Sequence, residues 1–90
     1  MNKSQLISVV AEKTEKKKKD VELIVDTMIN IIYDTLKARD KVTISGFGTF
    51  EIKHRRERNG VNPKTGEKII VPEAILPIFK AGKTFKEEVK

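Results

Sequence analysis

The sequence predicts an α+β fold, in which two N-terminal helices are followed by β-strands with a long protruding hairpin and by a short C-terminal helix. Apolar residues recur at helical spacing over the first forty residues, and after Asp40 they alternate with polar residues at the period of a strand. Residues 53–73 then combine strand and turn residues with almost no side chains to bury. These observations indicate one domain with a helical part at 1–40 and a β-rich part at 41–90.

The composition excludes several classes of protein. The chain has 90 residues, no cysteine and a single histidine. Disulfide scaffolds, thiol nucleophiles and cysteine-rich zinc sites are therefore excluded, and one histidine gives no basis for a histidine metal cluster. No apolar run approaches the roughly 20 residues that span a bilayer, and the N-terminus leads directly into an amphipathic pattern. We expect a cytoplasmic protein without a cofactor or metal.

The formal net charge of +6 is concentrated in the middle of the chain. Residues 1–40 carry eight basic and seven acidic residues, residues 41–72 carry seven and three, and residues 73–90 carry four and three. The middle segment thus holds +4 of the +6. A concentrated basic excess indicates a negatively charged partner, whereas a scattered one only favours solubility.

The first two helices are predicted from caps and periodicity. Asn2 followed by Gln5 is typical of a capping box, and the first helix should end between Lys13 and Lys17. A second helix of about six turns is predicted over residues 18–39. Its apolar residues cover more than one stripe, so one short helix and a few strands cannot cover them all. Self-association would cover the remaining apolar surface, and a symmetric homodimer is the commonest closed assembly.

The body of the β-rich part is predicted to contain a hairpin. Residues 42–45 alternate between apolar and polar, and a second alternating strand follows Gly46-Phe47-Gly48-Thr49-Phe50. A final apolar strand is predicted around Leu76 and Phe79, with a short helix over residues 82–90. The residues expected in the dimer core are Ile29, Ile32, Leu36, Ile44, Phe47, Phe50 and Phe79.

A hairpin arm is predicted at about residues 53–73. Residues 53–61 have strand-like spacing but almost nothing to bury, so they cannot form a core strand. Asn62-Pro63-Lys64-Thr65-Gly66 is typical of a turn, and residues 67–71 lead back toward the body. An extended arm from Lys53 to Pro63 would reach roughly 33 Å at about 3.3 Å per residue. That reach is several times the width of a DNA minor groove.

Four motifs carry a resemblance to a known family. They are Gly46-Phe47-Gly48-Thr49-Phe50, the arm arginines Arg55 and Arg58, the tip Gly60-x-Asn62-Pro63-x-Thr65-Gly66, and Phe79-Lys80-Ala81-Gly82-Lys83. Over all 90 residues the sequence is similar to the HU and integration host factor family of bacterial histone-like DNA-binding proteins. Without terminal extensions it looks more like the HU branch than like an integration host factor subunit. The arm-tip motif is specific, whereas the helices alone are not.

The resemblance implies an intertwined homodimer with helices below, a saddle of β-strands above and two arms that embrace duplex DNA through its minor groove. By the family pattern, Pro63 would intercalate between base pairs, since proline is compact, apolar and stiff and has no N–H to bury unpaired. The resemblance implies a nucleoid-associated protein that bends, compacts and stabilises DNA with little sequence specificity. Bent, nicked or flexible duplexes would be preferred, because deforming them costs less.

The expected DNA contacts come from the arm, the saddle and the C-terminal helix. The residues are Lys53, Arg55, Arg56, Arg58, Asn62, Pro63, Lys64, Ser45, Gly46, Lys80, Lys83 and Lys86. Simpler interpretations exist for each residue alone: Pro63 is typical of an ordinary turn, and Lys83 and Lys86 are typical of a solvated helix face. The combination with the basic middle segment favours DNA.

Several residues differ from the family pattern or are not basic although they lie in or near the basic region. Val61 stands where the family commonly has arginine, which removes a charge beside the predicted wedge or, alternatively, adds apolar surface to it. Lys17 stands where a Ser or Thr N-cap is usual, which would cost the second helix about 1 kcal/mol. His54 is expected to be a surface residue of the arm rather than a metal ligand. The acidic residues expected to pair with Arg or Lys within the arm are Glu51, Glu57 and Glu67.

Three other functions have less support from the sequence than DNA bending. A helix-turn-helix transcription factor needs a polar recognition helix, but residues 21–36 are rich in apolar side chains. A sharp preference for one operator sequence would favour this function. An RNA-binding module needs a solvent-facing aromatic platform, which Tyr33 and the four phenylalanines are not expected to form. Equal or tighter binding to single-stranded RNA than to duplex DNA would favour that function. An enzyme has the least support, because the sequence has no phosphate-binding glycine motif, nucleophile and base pair, or metal ligand set.

Overall fold

The computed structural model describes all residues from 1 to 90. In chain order the elements are α1 (Lys3–Thr14), α2 (Lys18–Lys37), β1 (Val42–Ile44), β2 (Gly48–Arg55), β3 (Arg58–Val61), β4 (Lys68–Val71), β5 (Ala74–Ala81) and α3 (Lys83–Glu88). The chain forms two compact units, Met1–Asp34 and Thr35–Lys90, with the boundary inside α2. The predicted order of helices and strands is confirmed.

Helix α1 begins with the predicted capping box. The side-chain oxygen of Asn2 accepts a hydrogen bond from the N–H of Gln5 at 2.9 Å, and the Gln5 side chain accepts one from the N–H of Asn2 at 2.9 Å. These bonds satisfy donors that a helix start leaves without partners. The helix ends within the predicted stretch, because Glu15 takes a left-handed conformation with φ of 56°.

The first unit has a small apolar core between α1 and α2. Its buried residues are Ile7, Ala11 and Val21, and Val10 and Val25 pack against them. An ion pair between Lys3 and Asp26 also joins the two helices. Helix α2 begins at the predicted residue and ends at Lys37, two residues earlier than predicted. None of the helices is long and apolar enough to cross a membrane.

The second unit contains a three-stranded antiparallel sheet in the order β1-β2-β5, called the body sheet below. The predicted hairpin joins β1 to β2, and the N–H of Phe47 donates to the carbonyl oxygen of Ile44 at 3.0 Å across its turn. Strand β2 pairs with β5 from Gly48 opposite Ala81 to Arg55 opposite Ala74. This long ladder aligns the two strands that lead into the arm.

The register gives the body sheet one apolar and one more polar face. Residues that are opposite each other share a face, and faces alternate along each strand. The apolar face carries Val42, Ile44, Phe50, Ile52, Ile75 and Phe79, together with Pro77 and His54. The other face carries Thr43, Thr49, Glu51, Lys53, Arg55 and Lys80, together with Ala74, Leu76 and Ile78.

All four phenylalanines meet in one cluster. The ring centroids of Phe50 and Phe79 lie 4.8 Å apart, and Phe47 lies 5.2 Å from Phe79 and 5.1 Å from Phe85. These separations are typical of favourable tilted aromatic pairs. Helix α3 joins the cluster through Phe85, and the N–H of Gly82 before it donates to the carbonyl oxygen of Phe47 at 2.8 Å.

The arm is a separate two-stranded sheet formed by β3 and β4. Its register pairs Arg58 with Val71 and Val61 with Lys68. The predicted hairpin is therefore present, but residues 53–55 pair with β5 and belong to the body sheet. Apolar residues of β5 opposite that segment provide strand partners for it, which a local pattern does not reveal.

Candidate nucleic-acid interface

The tip of the arm is a tight loop closed by hydrogen bonds between its own residues. The N–H of Asn62 donates to the carbonyl oxygen of Glu67 at 2.8 Å, and the N–H of Gly66 donates to the carbonyl oxygen of Asn62 at 2.8 Å. The side-chain oxygen of Asn62 accepts from the N–H of Lys64 at 2.9 Å. Gly66 has φ of +73°, which side chains rarely adopt. The predicted turn is confirmed, and Asn62 has a role in shaping it.

Pro63 lies in this loop, at the end of the arm opposite the body sheet, and it is exposed. Its ring is apolar and stiff, and it has no N–H that burial would leave unpaired. A side chain of this kind at the end of a projecting ribbon can enter the space between two stacked bases at little entropic cost. The neighbouring Lys64 is also exposed and places a positive charge beside it.

The cations predicted for the arm extend from the body sheet into the arm. Lys53 and Arg55 share the polar face of the body sheet, Arg56 lies in the connection, and Arg58 begins β3. Lys53, Arg56 and Arg58 are exposed. Arg55 is half-buried, and its Nε has no hydrogen-bond partner. The arm and its base therefore present four cations within residues 53–58, interrupted by the acidic Glu57.

The predicted contacts outside the arm are also at the surface. Ser45 and Gly46 are exposed in the turn between β1 and β2, and Lys83 and Lys86 are exposed on α3. Lys80 is exposed too, but its Nζ lies 2.8 Å from a carboxylate oxygen of Glu51. Glu51 therefore pairs with a cation as predicted, but that cation belongs to β5 of the body sheet and not to the arm. A phosphate that approaches Lys80 has to compete with this carboxylate.

His54 forms a contact that the sequence did not predict. Its Nε2 lies 2.7 Å from a carboxylate oxygen of Glu73, which immediately precedes β5. Both side chains are exposed, so His54 is a surface residue as expected. The pair connects the end of β2 with the start of β5, where the arm leaves the body sheet.

Two arm residues that the sequence did not single out lie on the same face as Val61 because of the strand register. Lys68 is directly opposite Val61, and Ile70 lies on the same face of the arm as both of them. All three side chains are exposed. Their shared face follows only from the pairing of β3 with β4, so no local signal in the sequence could have assigned it.

The residues predicted for the dimer core form incompletely covered apolar surface in the single chain. Phe47 is 41% exposed and Phe79 is 39% exposed. The other five are half-buried, and they are Ile29, Ile32, Leu36, Ile44 and Phe50. Only Ile7, Ala11 and Val21 form the buried core of the chain. A single chain therefore leaves most of its large apolar side chains in contact with water.

An α+β body with a basic arm and an exposed proline at the arm tip defines a protein of the nucleic-acid-binding class. The sequence profile of the family described as bacterial DNA-binding protein matches residues 1–90. The DNA-binding protein HU of Thermotoga maritima is 49% identical over 90 residues, which cover all of both chains. HU 1 of Bacillus subtilis is 47% identical over 99% of this chain and 97% of its own length. The chain belongs to the HU family of bacterial DNA-binding proteins, which are not enzymes.

Solved structures of this family share the fold. A structure of HU from Anabaena crystallised with DNA is similar with a TM-score of 0.87 and 43% identity, and the match covers 99% of this chain and 97% of that one. HU from Thermotoga maritima gives a TM-score of 0.71 and 40% identity over all of both chains. The helices, the sheet with its arm and the short last helix are thus family features, and a homodimer is consistent with them.

Proposed function

We propose that this protein is an architectural DNA-binding protein that grips duplex DNA with its arm and bends it by inserting Pro63 between base pairs. The observation that carries the proposal is the exposed proline at the end of a ribbon with exposed cations along it. Insertion would unstack a base step at a cost of a few kcal/mol, and contacts of the bent duplex with the basic surface would offset that cost.

The working unit in this proposal is a homodimer, so that two arms act on one duplex. Support comes from the apolar face of the body sheet and from α2, where Met28 and Ile31 are 48% and 58% exposed. Large exposed apolar patches on small proteins mark association surfaces. Pairing two chains through the predicted dimer core would remove part of this surface from water and would point the polar faces outward.

Binding would be largely independent of sequence. The residues on the arm and on α3 are Lys and Arg, which contact phosphates, and the minor groove distinguishes mainly A·T from G·C pairs. Nicked, bent or flexible duplexes would bind more tightly because less work is needed to deform them. In the bacterial cell we place this activity at the nucleoid in the cytoplasm, where it would compact and stabilise DNA.

A salt titration of duplex binding tests this function. The logarithm of the affinity should fall linearly with the logarithm of salt concentration, at a slope of about −0.9 per phosphate contacted. Arg58→Gln should make the slope shallower by about 0.9 per arm that binds, whereas Arg39→Gln, which changes an exposed arginine outside the arm, should leave it unchanged. A slope near zero for the native protein, or tighter binding to single-stranded RNA than to duplex, would reject the proposal.

A further inference from the structure

The two faces of the arm differ in chemistry. The register between β3 and β4 places Arg58, Gly60, Ile69 and Val71 on one face and Asn59, Val61, Lys68 and Ile70 on the other. A β-carbon on Gly60 would lie 3.1 Å from Cγ2 of Val71 and 3.6 Å from Cγ1 of Ile69, so the side chains of the first face close over the glycine. The second face, called the open face below, has no glycine, and each of its four residues carries a side chain.

The open face carries two of the more exposed apolar side chains of the second unit. Val61 is 62% exposed and Ile70 is 65% exposed. They are diagonal neighbours across the two strands, at a spacing of about 7 Å that apolar side chains can share. Together with Asn59 and Lys68, they line part of a shallow concavity on the arm, whose other lining residues, Gly60 and Ile69, belong to the first face. A two-stranded ribbon has no second layer of its own to cover such a pair, so an external partner is needed.

We propose that Val61 and Ile70 form an apolar contact with the deoxyribose rings that line the minor groove of duplex DNA, next to the site where Pro63 inserts. This inference rests on the proposed function. Val61 lies two residues before Pro63 on the chain, a distance of roughly 7 Å in extended conformation. An arm that brings Pro63 to a base step therefore brings Val61 into the same groove.

Charge complementarity favours duplex DNA as the occupant of the open face. Lys68 is directly opposite Val61, and Lys64 follows Pro63 at the tip; both are exposed. Two cations around a small apolar patch match a groove whose walls are apolar sugar C–H groups and whose rims are phosphates. An apolar protein partner would gain nothing from these cations and would have to desolvate them.

The apolar contact would make part of the affinity independent of salt. Cations release condensed counterions when they bind phosphates, and that release is the source of the salt dependence. Val61 and Ile70 carry no charge, so burying them against sugars contributes without releasing ions. The open face would thus keep the arm attached at salt concentrations at which the phosphate contacts have weakened.

The double variant Val61→Thr/Ile70→Thr tests the contact, because threonine keeps the branched shape that suits a strand and replaces apolar surface with a hydroxyl. Affinity for a linear duplex should fall by about tenfold or more for a dimer, because the double change removes three apolar carbons from each arm and one buried carbon less in each arm already corresponds to about tenfold. The salt slope should stay unchanged. Val89→Thr, which changes a valine that is 71% exposed after α3, is the matched control and should have no effect.

The reverse variant, Val61→Arg, replaces the apolar contact by a cation. It should make the salt slope steeper by about 0.9 per arm, so that at high salt it binds more weakly than the native protein.

If neither variant alters affinity or slope, the contact does not exist. If the double variant flattens the slope, the arm has lost its shape rather than an apolar contact, and the inference is overturned. If it abolishes self-association of the free protein and leaves DNA affinity unchanged, the open face binds protein, which also overturns it.

These outcomes are distinguishable from failure of the proposed function. A native protein that does not bind or bend duplex DNA at all would reject the function itself. A native protein that binds and bends duplex DNA through Pro63, while the double variant behaves like Val89→Thr, would reject only the apolar contact of the open face.

Discussion

Gly48 on β2 and Phe79 on β5 approach each other so closely that a β-carbon at position 48 would lie 2.5 Å from Cζ of the Phe79 ring. The same β-carbon would lie 2.5 Å from the carbonyl oxygen of Lys80. The ring of Phe79 covers the backbone at the start of β2 and, through the aromatic cluster, holds the body sheet against α3. Only glycine leaves room for that arrangement.

Gly48→Ala should therefore destabilise the fold. Phe79 or the backbone of β5 has to shift, at a cost of about 1–3 kcal/mol in the free energy of unfolding. Urea denaturation followed by circular dichroism measures it. Gly46→Asn is the control: position 46 has φ of +80°, which asparagine tolerates, and a β-carbon there would meet no atom within 4 Å. Equal stability of Gly48→Ala and the native protein would contradict this packing.

Self-association through α2 should be sensitive to which side of the helix is changed. The native protein should sediment as a dimer of twice 10.2 kDa. Ile32→Lys should shift it to monomer, since a buried lysine without a partner is unfavourable in an apolar interface. Leu23 is nine residues away, about 180° around the helix, so Leu23→Lys should leave the dimer intact. Sedimentation of both variants as native-like dimers would refute this interface.

Glu51 should restrain the contact of Lys80 with DNA. The two side chains lie 2.8 Å apart on the polar face of the body sheet, so a phosphate has to replace the carboxylate. Glu51→Gln should strengthen duplex binding by about twofold to fivefold, the range for an exposed ion pair. Glu12→Gln, a change of an exposed carboxylate on α1, should have a smaller effect. Weaker binding by Glu51→Gln would indicate that Lys80 does not contact phosphate.

The ion pair between Lys3 and Asp26 should make stability dependent on alkaline pH. The hydrogen bond that the Lys3 ammonium donates to the Asp26 carboxylate, followed by the negative charge of Asp26, raises the pKa of Lys3 above its ordinary value of 10.5. Because the folded state holds this proton more tightly, the contribution is complete below pH 10.5 and is lost as pH rises through the raised value. Native protein should be more stable than Asp26→Asn at pH 8, and the difference should shrink above pH 10.5. A constant difference would exclude this linkage.

The features that the sequence predicts on its own depend on residues that are close together along the chain. Asn2 and Gln5 cap α1 across three residues, and the tip loop depends on Asn62 and Gly66 within one turn. Both were therefore accessible from the sequence. The arm and self-association also followed from the residues, and the resemblance to the HU and integration host factor family added the DNA-contact residues, the intercalating role of Pro63 and the intertwined form of the dimer.

Features that depend on strand register were not predicted. Ile70 shares a face with Val61 only because β4 pairs with β3 in one register, and a shift of one residue would place it on the other face. The salt bridge of Lys80 with Glu51 and the contact of His54 with Glu73 also join residues of different strands or connections. Local patterns carry no information on such pairs.

Bending by the arm tip is tested most directly by the end-to-end distance of a short linear duplex, measured by fluorescence resonance energy transfer at saturating protein. The native protein should shorten this distance, because insertion of Pro63 kinks the duplex. Pro63→Ala should still bind through its cations but bend the duplex much less, whereas Pro72→Ala, at the base of the arm, should bend it like the native protein. An unchanged distance with native protein, or equal bending by Pro63→Ala, would contradict intercalation.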